Sequence, residues 1–430
     1  MQRLDSRDPG FATAFAALVD DRRHSDADVA RDVAAIIADV RARGDAALAD
    51  YTARFDRHAP VSDADWCIGA DVCSAAYAAL DPDLRAALDC AAQRIRAYHA
   101  AQVPQDRDYT DAQGVRLGAV WRAVDAAGLY VPGGRAAYPS SLLMNAIPAK
   151  VAGVERLVIA TPTPDGAINP LVLAAAHLAG ADEVWRIGGA QAIAALAYGT
   201  ARIRPVDVIT GPGNAWVAEA KRQLYGVVGI DMVAGPSEIL VIADGANDPR
   251  WIAADLLSQA EHDPAAQAIL ITDDAAFADA VVAAVDAELA LLPDPRVARA
   301  SWDRYGTVIV VPSLADSPAL ANRLAAEHVE IATADPDSLF AHIRHAGSVF
   351  LGRMTPEAIG DYVAGPNHVL PTGRRARFSS GLSVLDFMKR TSFIAAGDAA
   401  LGAIGPAAIA LAEAEGLPAH ARSIAIRLPR

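Results

Sequence analysis

One unit recurs through residues 129–235: a short apolar run, a turn that contains glycine, and a stretch with helical periodicity. The apolar runs lie at 129–131, 184–187 and 206–209, and they lead into glycine turns at 133–134, 188–189 and 211–213. A connection long enough to hold a helix lets successive strands run parallel, with helices covering the faces of the sheet. The repeat therefore predicts a doubly wound parallel α/β module.

A second module repeats this rhythm further along the chain, with apolar runs at 239–243, 268–272, 307–311, 329–332 and 348–351. Because 430 residues are too many for one ordinary core, the predicted fold class is α/β, with two doubly wound modules. The predicted limits are an N-terminal helical segment at 1–24, a larger α/β domain from 25–128 plus 236–380, a smaller α/β domain at 129–235, and a C-terminal arm at 381–430. The first hundred residues read as helical, with helices from a cap at Ser25 or Asp26 to Gly44 and from about Pro82 to His99.

The composition narrows the classes of function. A net charge of -14 disfavours nucleic acid, because the phosphates would be repelled and the basic clusters at 221–222, 374–377 and 389–390 are short. No apolar run is long enough for a membrane span and no signal-peptide core follows the first residues, so we predict a soluble cytoplasmic protein. The three cysteines, Cys67, Cys73 and Cys90, precede every motif below and read as structural.

The glycine turns follow predicted strands, where backbone amides can approach an anion. None completes the dinucleotide fingerprint, since Trp216 stands where the third glycine of the 211–216 turn would be. The modules are therefore Rossmann-like but incomplete. Nucleotide binding and ordinary tight turns remain alternatives on spacing alone.

Two polar pairs stand out. Gln259 and His262 are three residues apart at the end of a predicted helix, which stops before Asp263-Pro264, so both side chains face one point. They read either as two ligands of a divalent metal such as zinc or as a cap and a satisfied polar group. Glu327 and His328 lie between a helix and a strand and offer two proton-transfer groups, or else a solvated junction.

Other polar residues carry no local signal. Asp361, Glu415 and His420 have the pattern of surface residues. His342 and His345 are three apart, but Arg344 lies between them on a helix that reads as exposed.

Taken together, the motifs of residues 128–420 resemble the histidinol dehydrogenase family. They are, in order, GLYVPGG, GGAQAIAALA, GPGN, AGPSE, SQAEHD, EHVE, GPNHVLPT and SGLSVLDFMKR. Ala326 and Val329 depart from the family's usual proline and leucine beside the Glu-His pair, which puts local geometry in doubt. The N-terminal region is compatible but less distinctive.

The resemblance implies a set of site residues. It implies one zinc per subunit, held by Gln259, His262, Asp361 and His420, all of which also contact substrate. It implies further substrate contacts at Ser237, His328 and Glu415, and an NAD site at Tyr130, Gln191 and Asn214 in the smaller domain. The arm crosses to the partner in this family, so a homodimer with shared sites is expected.

The reaction implied is the oxidation of L-histidinol through L-histidinal to L-histidine with two NAD. His328 takes the hydroxyl proton, and Glu327 activates the water that attacks the aldehyde, because no cysteine accompanies the motifs. The rival readings are an NAD-dependent dehydrogenase of another small alcohol, such as a sulfonated diol, and a zinc hydrolase without a redox role. A purely binding protein would need neither the polar constellation nor the glycine turns.

Overall fold

The computed structural model describes residues 1–21, 27–133 and 138–428. The strands are β1 (Gln2–Asp5), β2 (Cys67–Ile68), β3 (Arg107–Thr110), β4 (Arg116–Ala123), β5 (Ala126–Tyr130), β6 (Arg156–Ala160), β7 (Glu183–Trp185), β8 (Val208–Thr210), β9 (Gly229–Ile230), β10 (Glu238–Ala243), β11 (Gln267–Thr272), β12 (Thr307–Val310), β13 (His328–Ala332), β14 (Ser348–Leu351) and β15 (Met388–Ala395). The expected caps at Ser25 and Asp26 and the glycine at Gly134 lie outside the described residues.

The α-helices are α1 (Phe11–Asp20), α2 (Ala27–Arg43), α3 (Asp45–Phe55), α4 (Asp63–Trp66), α5 (Ala70–Ala78), α6 (Pro82–Ala100), α7 (Pro139–Ala152), α8 (Pro170–Ala179), α9 (Gly189–Tyr198), α10 (Ala215–Leu224), α11 (Pro249–Ala260), α12 (Ala275–Leu289), α13 (Arg296–Tyr305), α14 (Ser317–Leu324), α15 (Pro336–Phe340), α16 (Ala358–Tyr362), α17 (Asp398–Ala414) and α18 (Pro418–Ala425). Short 3-10 helices lie at Pro164–Gly166, Leu314–Asp316, Arg375–Arg377 and Val384–Phe387.

The smaller sheet has six strands in the order β2-β7-β6-β5-β8-β9. It is parallel except at its edge, where β2 pairs antiparallel with β7. The central strand β5 is buried along its whole length, because helices cover both faces. This confirms the strand, glycine turn and helix units that the sequence predicts.

The larger sheet also has six strands, in the order β1-β12-β11-β10-β13-β14, and every pairing in it is parallel. β10, β11 and β13 are fully buried, which is why they appear in the sequence as continuous apolar runs rather than as alternating ones. The predicted α/β class with two parallel modules is therefore confirmed.

The N-terminal 21 residues differ from the helical expectation in part. Residues Gln2–Asp5 form β1, which extends the larger sheet by pairing with β12, and only then does α1 follow. A four-residue edge strand of mixed polarity has no periodicity that would reveal it in the sequence.

The packing of residues 27–100 also differs from the expected grouping with 236–380. α2 packs against α9 and α10, α6 packs against α7, and β2 belongs to the smaller sheet. The apolar faces of these helices are complementary to the helical layers of that sheet. The domain limits themselves stay a prediction.

The C-terminal part leaves the two sheets. β15 pairs antiparallel with β4, which also pairs with β3, and α17 and α18 then pack on each other. The chain after Gly416 forms a helix, α18. Large apolar side chains along this part are exposed, including Leu411 (65%) and Ile426 (63%), so its outer face has the character of an interface.

Among the helices of the described residues, none is both long and apolar enough to cross a membrane. The cytoplasmic location stays a prediction.

Candidate active site

A cavity of about 790 Å³ is lined by residues from both α/β modules. On one side it is lined by the turn that follows the carboxyl end of β8, from Gly211 to Ala215. On the other side it reaches the amino ends of β10 and β13, with Ser237, Glu327 and His328 in its wall. The lining also includes Gln259, His262, Asp361, His368 and Arg375.

Glu327 and His328 are held by one residue of the neighbouring strand. The Glu327 carboxylate accepts a hydrogen bond from the backbone N–H of Glu238 at 3.0 Å, and His328 Nδ1 lies 3.2 Å from the Glu238 carbonyl oxygen. A carbonyl oxygen only accepts, so Nδ1 carries the proton and Nε2 is the free acceptor of the neutral ring. Nε2 has no hydrogen-bond partner among the described residues.

Burial shifts this pair in opposite directions. Loss of solvent lowers the pKa of His328 to about 4, against the opposing effect of the Asp361 carboxylate. Loss of solvent also raises the pKa of Glu327 well above its usual range, and the nearby charges of Glu238, Asp361 and Glu357 add to this. His328 is therefore an unprotonated imidazole at neutral pH, which is the form that accepts a proton.

Gln259 and His262 meet at the end of α11, as their spacing predicts. Gln259 is 1% exposed, and its Nε2 lies 3.1 Å from His262 Nδ1. Its Oε1 is buried and has no hydrogen-bond partner within the described part of the chain. A buried amide oxygen without a donor costs free energy unless something fills the position, and a metal ion is one occupant that accepts such a ligand.

Asp361 and His368 also line this cavity, and Asp361 lies close to His328. His368 Nδ1 is 3.0 Å from the Asp361 carbonyl oxygen and 3.6 Å from its Oδ1. Although burial opposes it, the His368 hydrogen bond and the neighbouring imidazoles lower the pKa of Asp361, so this carboxylate is ionised at neutral pH. The sequence offers no helical partner for Asp361, because its neighbours in space come from the loop after α16.

Glu357 is a site residue that the sequence does not reveal. It is 1% exposed, its Oε1 lies 3.5 Å from His328 Nε2, and its Oε2 accepts from the Ser258 hydroxyl at 3.0 Å. His328, Glu357 and Asp361 each offer a ligand atom within 4.8 Å of the others, a spacing that suits a divalent cation. Only the order Glu-x-x-x-Asp hints at this, and it is equally common on exposed helices.

Two more carboxyl groups interact with Glu357, those of the buried Glu330 and the half-buried Asp255. Burial raises the pKa of Glu330 to about 9 and that of Asp255 to about 6, and the two side chains hydrogen-bond to each other. Burial likewise raises the pKa of Glu357 to about 8. The visible signal is Glu330 inside the apolar strand 329–332, since a charged residue in a buried strand needs a partner.

The expected cofactor residues lie at the carboxyl ends of the smaller sheet. Asn214 caps α10 by accepting from the N–H groups of Trp216 and Val217, and it lines the cavity. The buried Tyr130 hydroxyl accepts from the Gly189 N–H at 3.1 Å, and burial raises its pKa to about 12. Gln191 is 1% exposed in the first turn of α9, and neither it nor Tyr130 is among the cavity-lining residues.

The turn before Asn214 is clamped by a buried ion pair. Gly211 donates to Asp231 Oδ2 at 2.9 Å and accepts from Lys221 Nζ at 3.0 Å, while Lys221 and Asp231 are paired with each other. Gly211 has φ +111°, and a Cβ there would lie 2.1 Å from the Tyr130 carbonyl oxygen, so the position requires glycine.

Glu415 and His420 are not brought to this cavity within one chain. Both side chains are exposed at the junction of α17 and α18, and neither is among the residues that line the cavity. The sequence expectation for these two residues therefore concerns the arm of a partner subunit and stays a prediction.

A cavity lined by residues of two α/β modules, with the Gly211 turn from one and a buried imidazole and carboxylate from the other, is typical of α/β enzymes with two modules. The family model for histidinol dehydrogenase matches residues 19–428. Histidinol dehydrogenases of Zymomonas mobilis and Rhodospirillum rubrum are 62% identical over 426 residues and 63% identical over 429 residues, covering 99% and 100% of this chain and 99% of each relative. The chain belongs to the histidinol dehydrogenase family, a family of oxidoreductases.

A solved structure supports the same assignment. The crystal structure of histidinol dehydrogenase from Elizabethkingia anophelis matches with a TM-score of 0.94 at 35% identity, and it covers 99% of this chain and 98% of that one. Sequence identity above one third over nearly the whole of both chains means that the two proteins resemble each other in sequence as well as in fold.

Proposed function

We propose that this chain oxidises L-histidinol to L-histidine in two steps with two NAD, and that it requires zinc. The observation that carries the proposal is the buried pair Glu327 and His328, facing the cavity beside Gln259, His262 and Asp361. Family membership supports the substrate, and the geometry supports the division of proton chemistry. The rival oxidation of another small alcohol would use the same machinery, so the substrate must be tested directly.

The donor set fits zinc. Gln259 supplies a buried oxygen without a donor, Asp361 an ionised carboxylate, and His262 an imidazole on the cavity wall. We propose His420 of the arm as the remaining protein ligand. When bound, zinc would supply a positive centre that binds the substrate's imidazole and amine and so orients the alcohol carbon. When bound, NAD accepts hydride, and Tyr130, Gln191 and Asn214 are the proposed contacts to it.

The protein residues handle the protons. His328 Nε2 takes the hydroxyl proton while the alcohol carbon loses hydride, which leaves the aldehyde. Glu327 takes a proton from the water that adds to the aldehyde, while His328 returns its proton to the carbonyl oxygen. His328, unprotonated again, then accepts a proton of the resulting hydrate as the second hydride leaves. Ser237, in the cavity wall, and Glu415, from the arm, are the proposed further contacts that hold the substrate.

The test is NADH absorbance on adding L-histidinol and NAD to the purified chain, before and after chelation. We expect two NADH per histidinol, loss of turnover on chelation, and recovery with zinc. Turnover of a sulfonated diol but not of histidinol would contradict the substrate. Hydrolysis without NADH would contradict the redox reaction.

A further inference from the structure

Arg374 is a buried arginine in an unfavourable backbone conformation. It is 2% exposed and has φ +67°, in the left-handed region that residues other than glycine seldom occupy. Such strain persists only where the surroundings hold the residue in place, and it concentrates near functional sites. The contacts that hold Arg374 in this conformation therefore indicate its role.

The guanidinium of Arg374 joins three segments of the chain. It donates to Glu238 Oε1 at 2.9 Å, to Gln267 Oε1 at 2.8 Å and to the Leu18 carbonyl oxygen at 3.1 Å. These acceptors lie at the starts of the adjacent strands β10 and β11 and near the end of α1. A planar fork of donors can satisfy several acceptors at fixed angles, which an ammonium group cannot do.

Glu238 is the residue that holds both proton-transfer groups. Its N–H binds the Glu327 carboxylate and its carbonyl oxygen accepts from His328 Nδ1, while its side chain is fixed by Arg374. The two peptide units that flank the Glu238 Cα therefore orient the Glu327 carboxylate and determine the tautomer of the His328 imidazole. A rotation at Glu238 would disturb both groups together.

We propose that Arg374 and Glu238 are a positioning pair that fixes the Glu327 carboxylate and keeps His328 in the tautomer with Nε2 free. This role rests on the proposed function. Arg374 acts through Glu238 and does not touch the reacting atoms. The loop 372–375 and the helix α1 are thereby part of the support of the active site, although α1 lies outside the cavity.

The chain offers a matched control at the other end of the same sheet. Arg353 binds both carboxylate oxygens of Asp244, at 2.7 and 2.6 Å, just beyond the carboxyl ends of β14 and β10. Arg353→Met therefore also removes an arginine that anchors β10, but at the edge opposite Glu327 and His328.

The experiment compares Arg374→Lys, Arg374→Met, Glu238→Gln and Arg353→Met in the full enzyme. Each variant is measured for melting temperature, zinc content, kcat and KM of both half-reactions, and the pH profile of kcat/KM. We expect Arg374→Lys and Glu238→Gln to lower kcat about 10-fold to 100-fold in both half-reactions and to move the pH profile. The KM for NAD should stay within about twofold, and zinc should be retained.

Arg353→Met should lower the melting temperature but keep the wild-type kcat and pH profile. Wild-type kcat and pH profile in both Arg374→Lys and Glu238→Gln would overturn the positioning role, as would an equal loss of kcat in Arg353→Met. Should Arg374→Met fail to fold, the two conservative variants still decide. A wild-type chain that forms no NADH from histidinol would instead refute the proposed function, and this role with it.

Discussion

Glu327 and His328 are neighbours in sequence, yet burial shifts their pKa values in opposite directions. Removing solvent disfavours whichever form is charged, so the imidazole stays neutral with its pKa near 4, while the pKa of the carboxyl rises. A neutral imidazole accepts a proton at once. A carboxyl with a raised pKa becomes a stronger base when it ionises, which is what the activation of water requires.

The first prediction is that Glu327→Gln impairs aldehyde oxidation far more than alcohol oxidation. A glutamine cannot take the proton of water, so we expect a loss of about 100-fold or more in the oxidation of histidinal. Alcohol oxidation, which needs His328, should be affected less, whereas His328→Asn should impair both steps. Pre-steady-state measurement of each half-reaction checks this, and equal losses in both steps of Glu327→Gln would contradict the division of labour.

A second prediction concerns pH. Because the active base is the ionised form and the pKa of Glu327 is raised, kcat/KM for histidinal should increase with pH through a limb above the ordinary glutamate value of about 4.3. The carboxyl groups facing Glu327 are those of Glu238, Asp361 and Glu357. Their negative charges also raise the pKa of Glu327 and so move this limb to higher pH. That limb should vanish in Glu327→Gln. A limb at the ordinary value would refute the assignment.

A third prediction separates the metal ligands from the carboxyl group beside them. Burial raises the pKa of Glu357 to about 8, and its Oε2 already accepts from the Ser258 hydroxyl, whereas Asp361 is ionised and His262 faces the cavity. His262→Asn should therefore purify with little zinc, and Glu357→Gln should keep about one zinc per chain. Metal analysis of the two purified proteins checks this. Loss of zinc from Glu357→Gln but not from His262→Asn would mean that Glu357, and not His262, is the metal ligand.

At the scale of elements, the amino end of α10 carries Asn214, the proposed cofactor contact. Asn214 caps this helix, as Asn169 caps α8 of the same module, and both asparagines are exposed. Replacing either with alanine should cost about 1 kcal/mol of stability, because two N–H groups of α10 or one N–H group of α8 would lose their acceptor. Only Asn214→Ala should raise the KM for NAD, by up to about 10-fold. An equal KM change in Asn169→Ala would mean that the effect is one of stability.

The sequence predicts elements better than it predicts what meets at the site. α6 spans Pro82–Ala100, close to the predicted helix from about Pro82 to His99. The rule that ligands lie at the carboxyl ends of strands indicates the Gly211 turn, which lines the cavity. The same rule misses His328, which lies at the amino end of β13, on the opposite edge of its own sheet. Glu357 and Arg374 escape notice because their partners are about a hundred or more residues away, and no local period encodes such contacts.

At the scale of the whole molecule, one chain supplies a cavity but not every residue that the family resemblance implies. The Gly211 turn lines the same cavity as Glu327 and His328, while Glu415 and His420 lie exposed at the junction of the C-terminal helices. Exposed apolar side chains on these helices would be buried if the arm packed on a second copy. Sharing of sites in a homodimer is then the simplest way to bring His420 to Gln259 and His262.

Mixed dimers test this sharing. In a dimer of Glu327→Gln with His420→Asn, a crossing arm leaves one site with both changes and the other site with neither. Random exchange of equal amounts makes half of the dimers mixed, so about a quarter of all sites should regain histidinal oxidation. Each variant alone should remain inactive in this step. If dimers proven to be mixed show no recovery, each site must be completed within its own chain, and the arm would have to fold back onto its own cavity.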